Sequence, residues 1–261
     1  MRKTTVLLFL LLSLITTPLY AEGKLGVVLM HGKGGTSLPR SPIGQLSSFL
    51  EAQGILVSAP DMPWSRKRGF DKTYQDAMGE INDAIEDLKN DGANVIVVGG
   101  HSIGANAALG YAARHQVAAV LAIAPGHVPD IEGFQSKIEY DWERAKNLID
   151  DGKGNDITSF NDLNQGRILY VETTPNIYLS WYNPTGSAVI PDNTAKLKPD
   201  TALLWVVGSN DRMYDRGKAY AFNNAPQHPH NAYIVVDGGH RATPKKSKDD
   251  ILDWLRALQQ L

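Results

Sequence analysis

Six short runs of apolar and often β-branched residues punctuate the chain: Leu25–Met30, Ile55–Ala59, Asn94–Val98, Val117–Ala124, Ala202–Val207 and Ala232–Val236. Each is nearly continuous rather than alternating, the pattern of a strand with both faces buried. Between them the apolar positions repeat at three and four residues, which predicts helices over about Ile43–Gln53, Tyr74–Asn90, Ile103–His115 and Lys248–Gln260. In the second of these, Ile81, Ala84, Ile85 and Leu88 share one face. Ser247, with Asp250 three residues on, reads as a capping box that opens the last helix. Strand and helix in alternation predict a mostly parallel sheet of about six strands with helices on both faces.

The alternation breaks once, between 126 and 199. That interval holds one amphipathic stretch, Ile138–Asp150, then a loop rich in Gly, Asn and Asp, and then RILYVETTPNIYLSWYNP. A structureless loop of that length is implausible in a compact domain, so the interval is expected to be a small lid inserted between two strands. Its aromatics Tyr178, Trp181 and Tyr182, with Trp64, are candidates to line a substrate pocket or to form the lid's own core.

The first 21 residues fall outside this pattern. Arg2 and Lys3 precede an apolar core from Val6 to Ile15, then Pro18 and the small Ala21. The core is too short to span a bilayer, and the order is that of an export signal cut after Ala21. The chain is therefore expected in a periplasm or an external medium, with residues 22–261 forming one domain and no membrane anchor. It has no cysteine, so disulfides are excluded. Charge is nearly balanced, 26 basic against 28 acidic residues, and no basic run occurs. That composition argues against a nucleic-acid partner and for a small-molecule one; oligomeric state is not legible.

Candidate chemistry lies where runs end. Gly100-His101-Ser102-Ile103-Gly104 is a G-x-S-x-G between a strand and a helix, with Ala105 and Ala107 keeping the following turn small. The five-residue pattern alone is weak, but at the carboxyl end of a strand it matches a nucleophile elbow. HGKGGTS after the first strand is a second glycine-rich loop. A phosphate loop requires Gly-Lys-Ser/Thr at its end, which this order lacks. A dinucleotide loop requires an immediate helix, which Pro39 and Pro42 forbid. What remains is a backbone cradle for a developing oxyanion.

The motifs HGKGGTS, GGHSIGAN, GSNDRM and DGGHRATP together resemble the α/β-hydrolase superfamily, in its small-lidded esterase and dienelactone-hydrolase-like branch. The resemblance covers essentially all of residues 22–261 as an order of elements, although the first two antiparallel strands of the fullest version are missing. It implies Ser102 as nucleophile and His240, after the last strand, as base, with His127 the rival. The acid it implies is Asp211, with Asp215 and then Asp130 as alternatives. The amides of Lys33, or alternatively Gly34, and of Ile103 would form the oxyanion hole. Asp61 reads as bracing a loop beside the pocket, His31 and His101 as orienting and packing residues, and the Lys33 side chain as solvated. The implied activity is a cofactor-independent, metal-free serine hydrolase, most simply a carboxylesterase. An acyltransferase, thioesterase, amidase or peptidase on the same residues stays open, as does a non-catalytic binding protein that keeps the fold.

Overall fold

The computed structural model describes residues 23–259. The expected export signal, residues 1–21, lies outside them. Six strands form one parallel sheet: β1 (Leu25–Met30), β2 (Leu56–Ser58), β3 (Val95–His101), β4 (Ala119–Ile123), and, after the insertion, β7 (Ala202–Gly208) and β8 (Ala232–Val236). Their order across the sheet is β2-β1-β3-β4-β7-β8, so β3 and β4 lie at the centre. Helices α1 (Pro42–Glu51), α2 (Tyr74–Asn90) and α3 (Ile103–Ala112) connect the first four strands. This is the α/β-hydrolase fold.

Strand β1 shows why the run is continuous. Val28 and Met30 join the core under α2 and α3, while Leu25, Val27 and Leu29 join the core beneath α1 and the last helix. Only the inner strands obey that rule fully. β2 is half-buried along its length, and Val235 of β8 is 47% exposed, because each of these strands closes an edge of the sheet.

The insertion is more ordered than the sequence predicts. Helix α4 runs from Glu132 to Asp150, starting a turn and a half before the expected Ile138. Then come β5 (Thr158–Asn164) and β6 (Arg167–Thr173), an antiparallel hairpin whose Gln165-Gly166 turn has positive φ at both residues. Helices α5 (Pro175–Tyr182) and α6 (Ile190–Ala195) complete it. The sequence hides this hairpin because β6 is exposed at alternate and adjacent positions alike, with Ile168, Leu169 and Tyr170 all facing outward, so no period-2 pattern marks it.

At the C-terminal end, α7 (Gly217–Tyr220) and α8 (Thr243–Lys246) are single turns, and α9 (Lys248–Leu258) covers the β1 face. The expected capping box at Ser247 does not form. The Ser247 hydroxyl donates to the Thr243 carbonyl of α8 at 2.8 Å, so the residue links two helical turns instead of capping the second.

Candidate active site

Parallel strands end together, and three of them deliver the site. β3 ends at His101 and α3 starts at Ile103, leaving Ser102 alone at the turn with φ 59° and ψ −119°. That backbone is costly for any L-residue, on the order of 1–3 kcal/mol, and persists only where surrounding contacts impose it. Here the Ser102 amide donates to Ile123 O at 3.0 Å, continuing the β3–β4 ladder through the turn. The close approach of α3 to β1 depends on Gly104, where a Cβ would lie 2.6 Å from Met30 O. Ser102 is buried, lines a cavity of about 250 Å³, and its Oγ has no hydrogen-bond partner among the described residues.

β7 and β8 supply the other two groups. Asp211 follows β7 and His240 follows β8, and the His240 Nδ1–H donates to Asp211 Oδ2 at 2.6 Å. The second carboxylate oxygen, Oδ1, accepts the Met213 amide at 2.8 Å, so both oxygens of this buried acid are engaged. With Nδ1 committed, the proton-accepting position of the neutral ring is Nε2. Behind it, the His101 Nε2–H donates to His240 O at 2.9 Å, and the two rings lie 4.7 Å apart. Burial, and secondarily the adjacent His240, lowers the His101 pKa to about 3, so His101 packs as a neutral ring.

Gly126, after β4, occupies the gap between nucleophile and base. A Cβ there would stand 2.9 Å from Ser102 Oγ and 3.6 Å from His240 Cε1. Gly126 is not in the left-handed region, so alanine fits its backbone. Gly126→Ala is therefore expected to keep its melting temperature while displacing Ser102 Oγ, lowering kcat by roughly 10²-fold, the scale of an ångström-sized misplacement. Thermal melting and ester turnover measured on one preparation check it.

The glycine-rich loop after β1 comes alongside Ser102. The Gly34 amide donates to Trp64 O at 2.8 Å and the Gly35 amide to Gly32 O at 2.9 Å. Gly34 is thus already occupied and leaves the alternative for the oxyanion donor. The Lys33 and Ile103 amides have no protein acceptor among the described residues. The Lys33 side chain contradicts its expectation. Its ammonium is buried, makes a 2.5 Å ion pair with Asp162 of β5, and lies within 6 Å of the ring centres of Phe70, Phe134 and Tyr182. Burial lowers its pKa and Asp162 opposes that shift. The Tyr182 hydroxyl donates to the same Asp162 oxygen at 2.7 Å. A buried cation needs a buried partner, and the lid hairpin provides it; the partner is 129 residues away in sequence, beyond any local signal.

The aromatic candidates are placed differently from expectation. Trp64, Trp181, Tyr178 and Tyr182 are fully buried and none lines the cavity. Trp64 packs edge-on to Trp181, and Tyr178 stacks on Tyr182, so these rings weld the lid to the domain. Their indole and phenol groups are held by carbonyls or a carboxylate, as with Trp64 Nε1–H to His31 O at 2.7 Å and Trp181 Nε1–H to Lys72 O at 3.0 Å. The cavity is walled instead by residues that sequence inspection passed over, among them Val128, Ile131, Phe134, Arg212, Met213 and Arg216.

Of the alternatives for base and acid, His127 and Asp130 are engaged elsewhere. His127 does line the cavity, but its Nε2–H donates to Trp181 O at 2.8 Å, and burial and then Lys33 lower its pKa to about 3. Asp130 accepts from the Tyr220 hydroxyl at 2.7 Å, and Asp215 does not line the cavity. His31 Nε2 accepts the Met62 amide at 3.1 Å and so braces that loop, whereas the exposed Asp61 carboxylate stands 3.7 Å from the same nitrogen, beyond hydrogen-bond distance.

His101 and His127 also set an acid limit. Each is neutral in the fold down to about pH 3 but takes up a proton near pH 6.5 when unfolded. Between those values the unfolded chain binds more protons, so stability rises with pH and is lost as pH falls from about 6.5. The melting temperature at pH 5 is expected to lie several degrees below that at pH 7.5, and equal values would contradict the neutral assignment.

Residues 27–246 match the family model described as "Alpha/beta hydrolase family". Curated protein sequences give no match. Among solved structures, the chain resembles a monoacylglycerol lipase from Paleococcus ferrophilus, with 20% identity and a TM-score of 0.65, over 89% of this chain and 94% of that one. It also resembles a thermostable carboxyl esterase from Bacillus coagulans (15% identity, TM-score 0.64, 92% and 91% covered). A third is Est1E from Butyrivibrio proteoclasticus, solved with ferulic acid bound (18% identity, TM-score 0.63, 93% and 92% covered). At these identities the likeness is one of fold.

Proposed function

The chain belongs to the alpha/beta hydrolase family, and from that premise we propose that it is a serine esterase cleaving small carboxylic esters through an acyl-enzyme. The observation that carries the reading is the convergence, in one cavity, of an unpartnered serine oxygen on a strained turn and a histidine oriented by a buried carboxylate.

In this mechanism the Ser102 Oγ attacks the ester carbonyl while its proton passes to His240 Nε2. Asp211 holds the ring's Nδ1–H and stabilises the imidazolium that forms. The carbonyl oxygen, now negative, sits against the free Lys33 and Ile103 amides, a type of contact worth roughly 10²–10³ in rate for each donor. Collapse breaks the bond to the alcohol oxygen, which leaves with the proton from His240. Water then attacks the acyl-serine, His240 takes its proton, and the carboxylic acid departs. No step requires a cofactor.

Residues 1–21 read as an export signal, so the enzyme is proposed to act in the periplasm or outside the cell as residues 22–261. The reading is tested by offering purified protein p-nitrophenyl acetate and butyrate. Hydrolysis that is abolished by a fluorophosphonate supports it. Absence of hydrolysis, or hydrolysis insensitive to the inhibitor, overturns it.

A further inference from the structure

The cavity wall is uneven in charge. Its lining includes the apolar Val128, Ile131 and Phe134 and the cationic Arg212 and Arg216. Two arginines elsewhere are neutralised by carboxylates, Arg68 by Asp71 and Glu80 and Arg144 by Asp141, but neither lines this cavity. Arg212 and Arg216 have neither a carboxylate within 4.0 Å nor a hydrogen-bond acceptor among the described residues.

The remaining charges of the cavity are already spoken for. Lys33 is paired with Asp162, and Asp211, the one carboxylate of the wall, is engaged by His240 and the Met213 amide. Two arginines without a carboxylate partner, both exposed to solvent, therefore line the cavity of a protein whose net charge is −2. Positive charge at a cleft raises the local concentration of anions.

Arg212 is also held in place. It follows the triad's Asp211 directly, and its guanidinium packs on the backbone of Gly166 at the tip of the β5–β6 hairpin. A Cβ at position 166 would collide with that guanidinium, and the turn itself requires positive φ there, 78°. The glycine leaves room for a planar cation beside the nucleophile's cavity. A guanidinium so placed presents paired N–H donors that match the oxygens of a carboxylate or a phosphate.

We propose that Arg212 and Arg216 form an anion subsite, and that the preferred substrates are small esters carrying a carboxylate or phosphate group on the acyl or alcohol portion. This rests on the serine-esterase reading above. The volume of about 250 Å³ sets the size, below the roughly 300–1,000 Å³ of pockets for drug-sized ligands. The apolar wall takes the short chain between the scissile carbonyl and the anion.

The test compares esters with and without the anionic group: monomethyl glutarate against methyl butyrate for a carboxylate, and the acetyl ester of glycerol 3-phosphate against monoacetin for a phosphate. In at least one pair the charged ester is expected to have the higher kcat/KM by about tenfold or more, the scale of one charge-assisted contact. The ratio should fall towards one in Arg212→Met/Arg216→Met, and in wild type at roughly 0.5 M salt, where screening shortens the reach of exposed charges. Free glutarate or phosphate should inhibit neutral-ester hydrolysis competitively, a measurement that needs no variant. Neutral and charged esters cleaved equally well, or a ratio unmoved by the double substitution, overturn the subsite and leave the esterase reading standing. Failure of the wild type to cleave any of the four overturns both.

Discussion

Replacing Asp211 with asparagine is expected to lower kcat by about 10⁴-fold with little change in KM, the scale of the same exchange in serine-protease triads. The size of the effect follows from which way the new amide must face. The Met213 amide donates to Oδ1 of Asp211, so an asparagine is obliged to keep its carbonyl oxygen there. Its NH₂ then points at His240 Nδ1, where the carboxylate oxygen now accepts at 2.6 Å. A donor facing that nitrogen forces the ring proton onto Nε2, the atom that must take the serine proton. The imidazolium also loses its counter-charge. Steady-state kinetics of Asp211→Asn across pH 6–9 checks this, and a loss under tenfold would show that Asp211 is not the orienting acid. Neither Asp215 nor Asp130 could take over, since the first does not line the cavity and the second is held by Tyr220.

Ser102→Ala should have an effect at least as large. The nucleophile is removed, and what survives is binding and the oxyanion donors, which in other serine hydrolases leave a residual acceleration of roughly 10³–10⁴ over water. The fold should tolerate the change. The Ser102 side chain makes no cap bond to α3, and an alanine at φ 59° is no more strained than the serine it replaces. An unchanged melting temperature with activity reduced by several orders of magnitude would separate chemistry from stability.

The order of the site along the chain was legible, and its walls were not. Strands buried on both faces announce themselves as apolar runs, so β1, β3, β4 and β7 stand almost where the pattern puts them, and the residues that follow them converge because parallel strands end on one side. That rule picks out Ser102, Asp211, His240 and Lys33, and the structure places all four around one cavity. The sequence leaves pocket and core open for Trp64, Trp181 and Tyr182 because an aromatic beside a site has the same signature in either place; here they close the core between α2, α5 and the loop carrying Trp64. The Lys33–Asp162 pair was invisible because its partner lies in a hairpin with no period, and Arg212 and Arg216 because nothing local tells an exposed arginine beside a cavity from one elsewhere on the surface. Gly126 belongs to no motif, yet a side chain there would crowd both Ser102 and His240.

The proposed mechanism requires that Ser102 Oγ be the atom that is acylated. Treating the purified chain with a fluorophosphonate and mapping the adduct by peptide mass spectrometry tests this directly. One adduct per molecule is expected, on the peptide containing Ser102, absent from Ser102→Ala and formed far more slowly in His240→Gln. An adduct on any other residue, or ester turnover persisting undiminished in Ser102→Ala, would contradict it.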